Sequence, residues 1–180
     1  MRKTKKIALS AMMCALGVAF ISLGALVQVL DLTVAALCSL LVVFVYIEIG
    51  APYVHLVWLC TSLLSFVIFP GSVIWLEYFL VFGFFPILKA YIERLPRFAW
   101  LPLKLLYANA TFALLFYLQE LIFEIPLITE KTVFGISGIP LLIAAFVIMN
   151  IAFIAYDMLI TLMLRIYLFK YRERFKKLLK

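Results

Sequence analysis

The chain has 180 residues, 68% of them hydrophobic, with a mean hydropathy of +1.21 and a formal net charge of +7. Soluble domains are roughly half apolar, so this composition excludes one and predicts a single all-α membrane domain spanning residues 1–180. The three cysteines (Cys14, Cys38, Cys60) and the lone His55 lack the spacing of a disulfide framework or a metal site, and no GxSxG, HExxH, Walker-type or paired-acid motif points to an enzyme or a cofactor.

A basic start (Arg2, Lys3, Lys5, Lys6) opens directly into an apolar run ending at Val27, long enough to cross a bilayer as a helix. The run exceeds the core of a secretory signal and no small-x-small cleavage site follows it, so it is read as retained. At about 100° per residue, Ala8, Ala11, Ala15, Ala19 and Ser22 fall within an arc of roughly 80°, while Ser10, Cys14, Gly17 and Gly24 gather on another side. Apolar burial does not drive helices together in lipid, and small side chains matter because they let backbones approach. The alanine face therefore predicts a partner helix, either within this chain or in another protein.

Asp31 and Thr33 mark a short turn before a second apolar run over residues 34–47, which Glu48, Gly50 and Pro52 close. A third run, residues 53–69, stops at Pro70 and Gly71, because proline cannot continue a helix. The fourth covers residues 73–88 and carries Glu77 near its start and Gly83 and Pro86 inside, which predicts a kink toward its end. Residues 89–104 interleave Lys89, Arg94, Arg97 and Lys104 with Tyr91, Phe98 and Trp100, the pattern of a connection lying at the headgroups. A fifth span over residues 101–123, a loop over 124–138 and a sixth span over 139–164 lead to a basic tail.

Six spans put both termini on one side. With that side cytoplasmic, fifteen of the sixteen Lys and Arg residues lie on cytoplasmic flanks, leaving only Lys131 outside. A chain with one span more or fewer would separate the two basic termini. The net charge thus predicts topology, together with attraction of the tail to anionic lipid, and calls for no nucleic-acid partner.

Polar groups at bilayer depth are costly, so each is a candidate for function. Asn150, Asp157 and Thr161 share one face of the last span, and Asn109 lies at a depth similar to Asp157. They suggest a pairing across helices, a salt bridge of Asp157 to Lys104 or Lys89, or a proton or ion path. Near the outer ends of the first, fourth and fifth spans lie Gln28, Asp31, Trp75, Glu77, Tyr78, Gln119, Glu120 and Glu124. These either line a shallow pocket for a cationic or hydrogen-bond-donating small ligand or are solvated helix ends. His55 reads as an interfacial residue.

The opening TKKIALSAMMCAL, with Ala11 and Ala15 in an AxxxA spacing, and the six-span, basic-ended layout resemble the substrate-binding S components of energy-coupling factor (ECF) transporters. The likeness covers the whole chain in layout and about its first twenty residues in motif. It implies a bacterial cell-membrane protein that captures a vitamin or other micronutrient at its outer face. The small face of the first helix, with Ala11 and Ala15, would dock on a transmembrane T subunit bound to two ATPases. The alternatives are a membrane assembly or regulatory protein without transport activity, and a stand-alone secondary carrier using Asp157 and Asn150.

Overall fold

The computed structural model describes residues 3–27, 30–124 and 138–172, apart from the Tyr171 side chain. Among these, six helical stretches are long and apolar enough to cross a membrane: Lys3–Val27, Asp31–Glu48, Ala51–Ile68, Ile74–Ile92, Arg97–Phe123 and Ile139–Lys170. No strand occurs among the described residues. The elements are α1 (Lys3–Val27), α2 (Asp31–Glu48), α3 (Ala51–Ile68), the single turn α4 (Ile74–Glu77), a π-helical turn (Tyr78–Phe82), α5 (Phe85–Ile92), α6 (Arg97–Phe123), α7 (Ile139–Ile166) and a second π-helical turn (Tyr167–Tyr171).

Local chemistry fixes most of the boundaries. Asp31 opens α2, where a carboxylate suits the positive end of the helix dipole. Gly50, at φ 108°, makes the left-handed connection into α3, which starts with Pro52 in its first turn, where the missing N–H costs nothing. Pro70 follows the end of α3. Pro96 caps α6, so helix resumes at Arg97 and the predicted headgroup connection shrinks to a turn between Ile92 and Arg97. Pro102 lies inside α6 without ending it. The fourth span is interrupted toward its end, where Gly83 and Pro86 predict a kink: the helix changes form in the π turn and at Gly83, and Pro86 sits in the first turn of α5.

The chain divides into two compact units, one of residues 1–88 and 156–180, the other of residues 89–155. In the first, α1 packs on both α2 and α3, and α2 packs on α4 and the π turn. The face α1 turns inward carries Ser10, Cys14, Gly17, Ile21, Gly24 and Ala25. Its backbone approaches so closely that a Cβ on Gly17 would stand 3.0 Å from the Thr61 methyl and 3.2 Å from the Cys38 sulfur. Weak sulfur hydrogen bonds cross the same contact, from the Cys38 thiol to the Gly17 carbonyl at 3.6 Å and from the Thr61 hydroxyl to Cys14 Sγ at 3.5 Å. Ile21, Val42, Val45, Val54 and Tyr78 are fully or almost fully enclosed around it. Ala8, Ala11, Ala15 and Ala19 lie on the other side of α1 and are exposed.

The two ends of this unit differ in charge. At one, Lys6 donates to the Ile49 carbonyl at 3.5 Å and lies over the Tyr53 ring, while Glu48 takes the Tyr167 hydroxyl at 3.1 Å and pairs with Arg172 at 3.6 Å. At the other, α1 ends and α2 and α4 begin, and the charged groups are Asp31 and Glu77.

In the second unit, Glu93 Oε1 accepts from Lys104 Nζ at 2.8 Å and pairs with Lys89 Nζ at 2.9 Å. Both lysines are buried, and this carboxylate offsets part of their charge. Trp100, under the Lys104 ammonium, donates its indole N–H to the Leu95 carbonyl at 2.7 Å. Edge-on packing of Phe112 against Phe153 and tilted packing of Phe116 against Phe146 join α6 to α7.

Candidate functional site

The stretch from Ile74 to Phe82 positions the polar groups of the acidic end. After the Pro70–Gly71 turn, α4 runs a single turn and then widens into the π turn, in which the Gly83 N–H reaches back five residues to the Tyr78 carbonyl at 2.7 Å. Such widened turns leave carbonyls for partners outside the helix, and they recur at functional sites. Here two neighbours supply those partners. The Trp58 indole on α3 donates to the Phe79 carbonyl at 3.1 Å while its ring stacks on Phe79 at 5.0 Å and 8°. The Tyr156 hydroxyl on α7 lies 2.6 Å from Ser39 Oγ and 3.2 Å from the Phe82 carbonyl, and its one proton serves either acceptor. The π turn is thereby held from two sides, and Glu77, immediately before it, is held with it.

Glu77 is only 9% exposed, and its Oε2 is buried without a hydrogen-bond partner. Asp31, in the first turn of α2, has a buried Oδ1 in the same condition, and its charge reaches the Glu77 carboxyl. Neither acid forms an ion pair with a described residue. Leaving a buried charge or hydrogen-bonding atom unmatched costs several kcal/mol in general, which marks these oxygens as acceptors in want of a donor. Trp75 also has a buried, unpartnered Nε1, but two residues along a helix is a rotation of about 200°, and Trp75 packs edge-on against Phe66 of α3 at 4.7 Å, away from the side that faces α2. Tyr78 is 1% exposed and points into the core, where its hydroxyl meets Cys38 and Thr61. Of the four described residues of the predicted polar group in this unit, Asp31 and Glu77 lie on packed elements, α2 and α4.

Gln28 lies outside the described residues, as do most of the predicted 124–138 loop and the tail beyond Arg172. Gln119, Glu120 and Glu124 belong to the second unit, at the end of α6. Glu124 adopts the left-handed conformation at φ 55° and its N–H caps the Gln119 carbonyl, an ordinary helix terminus.

The amides of α6 and α7 pair with each other. Asn109 Nδ2 donates to Asn150 Oδ1 at 3.0 Å and Asn150 Nδ2 returns a bond to Asn109 Oδ1 at 2.9 Å. Each also donates to the carbonyl one turn earlier in its own helix, Leu105 or Phe146. The cross-helix partner of Asn109 is thus Asn150, where the match in depth had suggested Asp157. The Asp157 carbonyl accepts from the Thr161 hydroxyl at 2.9 Å. His55 Nδ1 lies 2.7 Å from the Ala51 carbonyl of its own helix.

Beside the exposed alanines of α1 runs an apolar groove of about 410 Å³ between α1 and α3. Ser10, Ala11, Cys14 and Ala15 form one wall, and Tyr53, Leu56, Val57 and Cys60 are among the residues of the other. Ser10 Oγ is buried there without a partner. Compared with protein-family models, with curated proteins and with solved structures, the chain matches none.

Proposed function

We propose that the chain is a six-span protein of a bacterial cell membrane, with both termini cytoplasmic, that captures a small micronutrient at its outer face as the S-like subunit of an ECF-type importer. The observation that carries this reading is the open side of α1. Ala8, Ala11, Ala15 and Ala19 are exposed beside a groove, although small residues on the opposite side of the same helix already serve the chain's own packing. A smooth strip with a long apolar furrow is what a foreign transmembrane helix needs for close approach in lipid. A T subunit bearing two ATPases is the partner that the resemblance names. The charge asymmetry of the first unit supports the direction: the end carrying Lys6 and Arg172 suits the cytoplasm, which leaves Asp31 and Glu77 at the outer end.

Co-expression with a bacterial T subunit and its ATPase pair, followed by affinity capture, tests the reading. Ala11→Trp with Ala15→Trp fills the furrow, and co-elution of the T subunit is lost while the helical circular dichroism of the protein is kept. Undiminished co-elution of the double variant overturns the docking role of α1. A protein that neither co-elutes nor carries a small molecule through purification belongs instead with membrane assembly or regulatory factors.

A further inference from the structure

We propose that Asp31 and Glu77 together form a binding site for a protonated amine. The assignment rests on the capture reading above, since it names what that site takes, but the two fail separately. Glu77 is more than nine-tenths buried, its Oε2 has no partner, and the nearby Asp31 also presents a buried, unpartnered oxygen. Two carboxyl groups with buried oxygens, on α2 and on the α4 that packs against it, with no described cation paired to either, form an arrangement short of positive charge and of hydrogen-bond donors. One ammonium group supplies both: a single positive charge and three N–H donors, two of which suffice for the two orphaned oxygens.

The alternatives fit less well. A divalent metal ion takes at least four ligands, and usually six or more when they are oxygens, whereas no cluster of three or more ligating side chains occurs among the described residues. A neutral alcohol satisfies one oxygen and leaves the repulsion between the acids unrelieved. An anion is repelled. The pair is also built to stay in place. Glu77 is fixed by the π turn behind it, which Trp58 and Tyr156 hold by its carbonyls, and Asp31 is fixed at the start of α2. A preorganised acceptor pair loses little freedom on binding.

The test uses the full-length protein in detergent at neutral pH and follows thermal unfolding against rising benzylamine hydrochloride, with benzyl alcohol, sodium chloride and calcium chloride as controls. Benzylamine raises the unfolding midpoint in a saturable way, as a ligand of the folded state does, and the controls do not. Glu77→Gln keeps the shape of the side chain and removes its charge, and weakens the response to benzylamine by about tenfold or more. Asp31→Asn, a residue well tolerated at a helix start, weakens it in the same direction and serves if the Glu77 variant does not fold. The proposal is overturned by an equal response to benzyl alcohol, by a response to calcium in place of the amine, by no response to the amine, or by a response that both variants keep. Loss of the amine response with T-subunit co-elution intact removes this site and leaves the importer reading. An amine response without co-elution does the reverse.

Discussion

Replacing Trp58 separates the two ways in which that residue holds the π turn. Trp58→Phe keeps a ring to stack on Phe79 but removes the indole N–H, so the Phe79 carbonyl loses the donor now 3.1 Å away. A lost neutral hydrogen bond whose acceptor stays partly buried costs about 1–2 kcal/mol. For a chain of this size that corresponds to a fall in melting midpoint of about 2–8 °C. Trp58→Ala removes the stack and the ring volume as well and costs about 3–5 kcal/mol in total. Both are read by circular dichroism at 222 nm during unfolding in mixed micelles of rising sodium dodecyl sulfate. A double-mutant cycle with Phe79→Leu gives the stacking term alone, expected at about 0.5–1.5 kcal/mol. If Trp58→Phe unfolds with the wild type while Trp58→Ala loses the full amount, the indole donor contributes nothing and the π turn is held by ring packing only. That result would remove the reason given for the fixed position of Glu77.

Other outcomes follow from the same contacts. Gly83→Ala places a Cβ 2.8 Å from the Tyr78 carbonyl oxygen and 2.6 Å from the Trp58 ring, and because the first obstacle is backbone the variant loses stability beyond the about 1–3 kcal/mol typical of overpacking, read in the same micelle titration. Asn109→Leu or Asn150→Leu alone costs roughly 0.6–1.7 kcal/mol by leaving one amide unmatched, and the double replacement costs no more than either single one; a strictly additive loss in the unfolding cycle would refute the reciprocal pair. Cys60 is exposed beside the groove and Cys14 and Cys38 are buried, so a maleimide labels Cys60 first in detergent, and a docked T subunit slows that labelling; peptide mass spectrometry reads both.

Much of this architecture is legible in the sequence because apolar run length and proline position are local signals. The second and third runs end at Gly50 and Pro70 to within a few residues, whereas the fourth runs past its predicted end at residue 88 to Ile92 and the fifth starts at Arg97, four residues early. The two small faces of α1 are equally legible, but not which of them faces inward. That choice depends on Cys38 and Thr61, far along the chain, whose side chains fit against Gly17 and Cys14. The π turn has no signature of its own: Gly83 and Pro86 advertise a disturbance, whereas the widened turn precedes both and is sustained by donors on α3 and α7. Asp31 and Glu77 are legible as polar residues at helix ends, but that they meet is not. Helical periodicity alone separates Trp75 from Glu77, and Tyr78 goes inward because its large ring has the core beside Cys38 and Thr61 to fill.

The widened turn after Glu77 also acts as an angular offset. Reaching back five residues in place of four, it rotates everything downstream relative to the acid, so that Phe85 and Ile87 can enter the core while Glu77 faces the start of α2. Straightening this turn into an ordinary helix without removing a residue would swing one set or the other by about 100°. The aromatic filling and the carboxylate could then not both keep their seats, which makes this short segment the joint that couples the interior of the protein to its acidic end.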